Sequence, residues 1–429
     1  MKIKPNPNHF TVFEHQSLIE GKMYDGNEFT LEHHQRLRDF YKEKDFPFYA
    51  LTGHGVRFCQ YVGVLQIGIL TVEILPKVDK LGDATTWKKR LIEMLKTVGL
   101  FKIHAPSSSA LTLQSNSILD LYLDLYLTEI EYLLHRGLVK RYRKTEGNTT
   151  ALKGNLQFSK HIQQNLVHQE RFYVNYTTYD AQHLIHSILY KALRLVKQIN
   201  TKNALHSRIG ALLLNFPEMP DVKISEATFD RITYNRKDEH YQTALEIARL
   251  LLLNYHPDVS KGRNHVLALL FDMNLLWEQF VYISLKKQLK ERAGYSVKQQ
   301  VPKAFWRQEN NGQTSGMKPD IVIETDKKER IVLDTKWKNL NGGNPSLDDL
   351  RQMYAYHSYF EAQKVALIYP TDGNTERKGG FYVDKKTSEK TTDTECSIIS
   401  IATKLDINQW QTHIFDTIYK WIQPNQNAS

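Results

Sequence analysis

Two short apolar runs joined by a charged turn constrain this chain more than any other stretch. The first is Asp320-Ile-Val-Ile-Glu324, entered through Lys318-Pro319. The second is Ile331-Val-Leu-Asp334-Thr-Lys336, and Thr325 to Arg330 lies between them. β-Branched runs bounded by polar turn residues predict a β-hairpin. Side chains alternate across a strand, so Asp334 and Lys336 are expected on one face, Thr335 on the other, and Asp320 alongside the first two. An unpaired carboxylate or ammonium among apolar strand residues is costly, which points to a salt bridge or a function. Carboxylates are hard oxygen donors suited to Mg²⁺, an ion that keeps several waters and binds a phosphate oxygen. A neighbouring lysine orients an attacking water and stabilises negative charge growing on phosphorus. These residue types therefore fit phosphodiester hydrolysis with water as the nucleophile. Asp-x-Lys alone is a weak pattern, because an exposed edge hairpin with a cross-strand ion pair carries the same residues.

The flanking pattern adds to the hairpin. After Asn341-Gly-Gly-Asn-Pro, Ser346 and Asp349 make a start resembling a capping box, which predicts a helix. On it Gln352 and Tyr356 are four apart and share a face towards the carboxylates. They suit bonding to phosphate or water, or equally packing and capping. Lys364 to Pro370 then reads as an apolar strand. Ahead of the hairpin, Asn264 to Arg292 reads as one long amphipathic helix bearing Glu278, and Tyr295 to Val301 as a strand. Between Ser284 and Arg307 stand seven Lys or Arg and one acid, the clearest local basic excess.

At about 150 residues per domain, the 429 residues of the chain call for two to three domains. The formal net charge of +10 favours a polyanionic partner, nucleic acid above all. With 41% hydrophobic residues, packed cores are expected rather than disorder. We expect α/β and α+β organisation in three parts: a β-rich N-terminal domain at 1–115, a mainly helical middle at 116–260, and a third domain at 261–429. Glycines at 53, 55, 63 and 68 punctuate the short N-terminal strands. In the middle, Asp120, Asp124, Glu129 and Glu131 read as a solvated helix face. His183 and His186, three apart, lack a third ligand of matching spacing. Arg136, Lys140, Arg141, Arg143 and Lys144 suit phosphate contact or a solvated turn. The segment Asp372 to Thr394 reads as a polar loop. Cys59 and Cys396 are too few for a disulfide framework. No leader-like or membrane-spanning run is apparent, so a cytoplasmic setting without membrane association is expected.

The order helix, strand, Pro-Asp strand, Asp-x-Lys strand, helix with Gln-x-x-x-Tyr, strand resembles the PD-(D/E)XK nuclease superfamily. Within it the chain resembles the McrC family, nuclease subunits of McrBC-type restriction systems. Tyr61-Val-Gly-Val-Leu-Gln, Thr71-Val-Glu-Ile-Leu-Pro-Lys and Leu152-Lys-Gly-Asn-Leu carry that likeness outside the hairpin. The resemblance implies a restriction-endonuclease-like C-terminal domain, a central mixed sheet flanked by helices. It makes Asp320, Asp334 and Lys336 the catalytic trio, Gln352 and Tyr356 an accessory pair, and Glu278 an additional acid or a polar rim position. It assigns Asp320, Asp334 and Thr335 to Mg²⁺, with Mn²⁺ as a substitute. It implies a Mg²⁺-dependent endonuclease acting on double-stranded DNA in a 5-methylcytosine-type system. The partner would be an McrB-type AAA+ GTPase hexamer, which this chain stimulates and which reads the modified cytosine. The absence of a G-x-x-x-x-G-K-[ST] loop agrees with nucleotide hydrolysis residing elsewhere. A non-catalytic adaptor that activates an AAA+ ring and holds DNA through a nuclease-like fold is the alternative.

Overall fold

The computed structural model describes residues 7–43, 48–77, 84–98, 118–200, 202–256, 266–290, 292, 294–309, 312–340, 342–383 and 390–423. The chain forms two compact units, one made of residues 1–100 with 261–429 and the other of 101–260. The first and last thirds, separate domains in the sequence reading, thus share one body.

Strand pairing explains how. In the first unit, β1 (His9–Phe13), β2 (Tyr61–Ile67), β3 (Leu70–Leu75) and β4 (Val266–Asp272) lie in one sheet, with β3 between β1 and β2 and β4 on the far side of β2. The β2 and β4 strands run antiparallel, from Val266 opposite Ile67 to Asp272 opposite Tyr61. Here the expected helix over Asn264 to Arg292 is corrected. The six apolar residues Val266 to Phe271 form a strand, and the helix α1 (Met273–Leu289) begins only after Asp272. A continuous apolar run has no period of its own, so pairing decides its state. Asp272 then caps the helix, accepting from the backbone N–H of Asn274 at 2.8 Å and of Leu275 at 3.3 Å.

The second sheet of this unit contains β5 (Tyr295–Gln299) at one edge. A separate two-stranded ribbon follows it, β6 (Lys303–Arg307) paired with β7 (Thr314–Met317). The sheet continues with β8 (Ile321–Thr325) and β9 (Arg330–Thr335), the expected hairpin, with Ile321 opposite Leu333. Helix α2 (Leu347–Phe360) leads to β10 (Ala362–Thr371), parallel to β9. Strands β11 (Glu376–Val383) and β12 (Lys390–Ala402) and helix α3 (Ile407–Ile422) complete it. The strand order is β5-β8-β9-β10-β12-β11, a mixed sheet. The polar stretch expected as a loop over Asp372 to Thr394 therefore contributes an edge strand. Its alternate exposure along Glu376–Val383 is what an edge strand shows, and its Lys and Glu content suits a solvated edge.

Apolar alternation buries both faces of the sheet. Val322, Val332, Val365 and Leu367 pack with Met353, Tyr356 and Phe360 of α2. Against α1 and α3 a tryptophan cluster closes the core: Trp277 stacks on Trp410 at 5.5 Å between ring centres and meets Trp337 edge-on at 5.4 Å. Trp337 in turn meets Trp87 at 6.1 Å, and its indole N–H donates to Glu14 at 2.6 Å. Glu14 also accepts from the Lys77 backbone at 2.7 Å. It is 1% exposed, and burial pushes its carboxyl up to about 7.

The second unit packs helices Ile118–Arg136, Leu184–Ile199, Asn203–Asn215 and Gln242–Leu253, and carries a ribbon of nine-residue strands, Arg141–Thr149 against Phe172–Asp180. The acidic face expected to be solvated is used for helix pairing. Arg208 donates to Glu131 at 2.5 Å and 2.8 Å and also binds Asp124, while Lys202 pairs with Asp120. His186 is buried, bonded to the Ala181 carbonyl at 2.6 Å and the Tyr241 hydroxyl at 3.0 Å, and burial pulls its pKa down to about 4. His183 stacks on it and bonds the Val139 carbonyl. His186 is thus a satisfied core histidine, and the half-buried His183 is held through one ring nitrogen.

Gly63 shows how tightly the shared sheet is joined. It sits opposite Leu270 with φ of +135°, and a Cβ there would lie 2.1 Å from the Leu269 carbonyl oxygen. Overpacking and the positive φ together cost about 3 kcal/mol. Gly63→Val is expected to lower the denaturation midpoint accordingly, with faster amide exchange appearing first in Val266–Asp272. Unchanged exchange in that strand would show that the pairing does not hold the two segments.

Candidate active site

The hairpin brings the two expected aspartates together by register. Ile321 faces Leu333, so Asp320, one residue before β8, comes level with Asp334 near the carboxyl end of β9. Pro319 before Asp320 removes a backbone donor at the point where the chain enters the strand. Asp334 is 1% exposed, and its Oδ2 lies 2.7 Å from Lys336 Nζ. That contact is an ion pair without hydrogen-bond alignment, so Oδ2 has no aligned donor among the described residues. Burial first, then the nearby Asp320 carboxylate, pushes Asp334 up to about 7 against the pull of Lys336. Asp320 is also raised, by burial, although two donors from Thr335 oppose the shift. The Lys336 ammonium is pulled down by burial, but Asp334 and Asp320 outweigh this and hold it above the usual lysine range. Two carboxylates thus share one partly buried ammonium.

Asp320, expected alongside Asp334 and Lys336, also reaches Thr335. The Thr335 backbone N–H donates to Asp320 Oδ2 at 2.7 Å and its hydroxyl donates to the same oxygen at 2.8 Å. Asp320 precedes its strand and so is not bound by the pleat. It swings to meet Thr335, which fixes one carboxylate oxygen.

Helix α2 contributes the accessory pair as expected from the spacing. Ser346 accepts from the Asp349 N–H at 3.2 Å to start the helix. Lys336 Nζ then donates to Gln352 Oε1 at 3.2 Å, Gln352 Nε2 donates to the Tyr356 hydroxyl at 2.8 Å, and that hydroxyl donates to the Lys318 carbonyl at 3.2 Å. The chain of bonds runs from Lys336 back to the residues that open β8. Burial raises the Tyr356 phenol further above neutrality, so it stays protonated and donating.

Glu278 reaches the rim of this group. Its Oε1 accepts from Gln299 at 3.0 Å and Gln300 at 2.9 Å, and burial raises its pKa, with Asp320 adding to the rise. Among the described residues no three His, Cys, Asp or Glu side chains gather as a metal-holding group. Sequence reasoning missed Gln299 and Gln300, which carry no motif, and the full role of Asp349. Asp349 pairs with Lys338 at 2.6 Å and accepts from the Tyr369 hydroxyl at 3.2 Å. Its place at the helix start was the available signal.

The site's donor set fits a divalent cation. Two carboxylates with raised proton affinity, one bearing a buried oxygen without an aligned donor, offer more negative charge than Lys336 neutralises.

Comparison with known proteins agrees with this architecture. Residues 56–370 match the family model described as the McrBC 5-methylcytosine restriction system component. No match was found among curated proteins. A chain of the half-complex refined from a tetradecameric assembly of Thermococcus gammatolerans McrB AAA+ hexamers with bound McrC shares the fold. Its TM-score is 0.72 at 20% identity, over 96% of this chain and all of that one. A second match, to the Thermococcus gammatolerans McrBC complex, has a TM-score of 0.49 at 20% identity over 66% of this chain and 88% of that one. The family match spans most of the chain, which therefore belongs to the McrBC 5-methylcytosine restriction system component family.

Proposed function

We propose that this chain is the DNA endonuclease subunit of an McrBC-type system, a Mg²⁺-dependent phosphodiester hydrolase. The observation that carries the reading is the Asp320, Asp334 and Lys336 group at the carboxyl end of β9, with carboxylates pushed towards neutrality and an ammonium 2.7 Å from one of them. Asp320 and Asp334 would hold the ion, which when bound supplies Lewis-acid polarisation of a phosphate oxygen and an acidified water. Thr335 keeps Asp320 in place. Lys336 has an N–H to spare for a phosphate oxygen or a water, and Gln352 fixes its direction. Charge placed in advance where negative charge grows on phosphorus is the largest single contribution such a site makes. By likeness to the Thermococcus gammatolerans assembly, whose description pairs McrC with McrB AAA+ hexamers, we take an McrB-type AAA+ GTPase hexamer as the partner. Engagement by that motor would trigger cutting and this chain would stimulate the motor. The partner would read the modified cytosine, and double-stranded DNA is the substrate.

Asp334→Ala and Lys336→Ala are each expected to reduce cleavage of modified duplex by about a thousandfold or more, with assembly onto the motor unchanged by size-exclusion chromatography. Cleavage retained by the double variant would overturn the hydrolytic reading in favour of an adaptor. Tyr356→Phe, which removes the bond to the Lys318 carbonyl and the acceptor for Gln352 Nε2, is expected to lower kcat by roughly tenfold with KM unchanged.

Stability reports the same charges. A carboxyl whose folded pKa is raised binds its proton more tightly folded than unfolded, so stability falls as pH rises from about 4 towards 7. Asp334→Asn is therefore expected to raise the metal-free denaturation midpoint at pH 8 and to give little gain at pH 4. Mg²⁺ should stabilise the parent at pH 8 more than the variant. An equal Mg²⁺ response in both would remove Asp334 from the ion's ligands.

A further inference from the structure

The ribbon formed by β6 and β7 is unlike the rest of its unit. Every residue of Lys303–Arg307 is exposed, as are Thr314, Ser315 and Gly316. A lone two-stranded ribbon has little stability of its own in water, and this one is anchored on one side only. Lys303 Nζ donates to the Tyr359 carbonyl at 2.7 Å and lies over its ring at 4.6 Å, Phe305 meets the same ring at 5.4 Å, and the Tyr359 hydroxyl donates to the Ala304 carbonyl. Trp306, 55% exposed, and Arg307 meet no partner among the described residues. The register shift between Ala304 and Trp306 takes the indole out of the plain alternation, opposite Ser315. Small cross-strand neighbours leave its ring uncovered.

Place and charge identify what would cover it. The two strands carry Lys303 and Arg307 and no acid. The second strand runs through exposed Lys318 and buried Pro319 straight into Asp320. Ser315, the partner of Trp306, is five residues from Asp320, at most roughly 17 Å of extended chain. At about 3.4 Å per base pair, that is a reach of about five base pairs from the cut. The major groove admits a two-stranded ribbon, cations beside it suit the phosphates, and an exposed indole offers apolar contact to thymine methyl groups in that groove.

We propose that the β6–β7 ribbon is a duplex-DNA contact flanking the cut, with Arg307 on the phosphate backbone and Trp306 in the groove. The inference deepens the endonuclease reading and rests on Asp320 marking the cut. It is tested in the full-length chain carrying D334A, with a short fluorescein-labelled modified duplex, in the presence and absence of the AAA+ partner. Trp306→Ala is expected to weaken duplex binding about tenfold, and Trp306→Phe to recover part of the loss. Arg307→Ala is expected to weaken binding and to lower the slope of log K against log salt by about one. Phe381→Ala, an exposed aromatic on the edge strand β11, is the control and should bind as the parent does. Denaturation midpoints should match throughout. Duplex binding by W306A and R307A within twofold of the parent would overturn the proposal. A loss confined to binding of the motor would do so as well, marking a protein contact instead. In the otherwise wild-type chain the two readings separate. Loss of duplex affinity in W306A without any cleavage by wild type removes the hydrolase and leaves the ribbon contact. Wild-type cleavage that W306A and R307A share in full removes the ribbon contact alone.

Discussion

Two close carboxylates, Asp334 buried and Asp320 half-buried, repel one another at the end of the C-terminal sheet that carries the candidate site. Asp320 and Asp334 are brought level by the β8–β9 register, which the apolar residues on both sides of the hairpin fix: a slip of one residue would turn Val322 and Val332 away from α2. Packing therefore holds the acids together although electrostatics would part them. One lysine offsets part of the charge, and removing one partner of such a buried pair is far worse than never having it. The supporting bonds follow from that constraint. Thr335 spends two donors on Asp320, and Gln352 with Tyr356 keeps Lys336 from turning out to solvent.

The same strand also ties the site to the N-terminal segment. Trp337 follows Lys336 directly, and its indole lies among Trp87 and Trp277 while donating to Glu14, the residue just after β1. Glu14 accepts at the same oxygen from the Lys77 backbone beyond β3. The β1–β3 edge is thus joined to the residue beside Lys336 through a buried carboxyl rather than through a loop. Together with the β2–β4 pairing, this makes the first hundred residues a structural part of the unit that carries the candidate site.

What was legible in the sequence follows the range of the interactions. The β8–β9 hairpin, the start of α2 and the Gln352–Tyr356 face depend on neighbours within about twenty residues, and alternation and capping chemistry announced them. Val266 to Phe271 could not be read, because a short apolar run is helix or strand according to its partner, and its partner lies some two hundred residues earlier. The edge strand β11 was hidden by its polar composition, which an edge strand needs. The acid face at Asp124 and Glu131 looked solvated because its partner, Arg208, belongs to another helix. The bonds from Thr335 to Asp320 were not foreseen for a local reason: alternation applies inside a strand, and Asp320 is outside one.

Glu278 shows why raised proton affinity alone does not define a ligand. It shares with Asp320 and Asp334 a pKa raised by burial, yet its bonds lead elsewhere. Both glutamines that donate to it lie at the end of β5, and Gln300 adopts a left-handed φ of 50°. The backbone N–H of Gln300 donates to the Asp320 carbonyl at 2.9 Å. Left-handed backbone at a side-chain-bearing residue is costly and persists where surrounding bonds hold it. Glu278 supplies one such bond and Asp320's own carbonyl the other. Even with no metal contact, Glu278 holds Gln300, which in turn bonds the Asp320 backbone, so the acid on the helix and the acid at the site are linked through one strained residue.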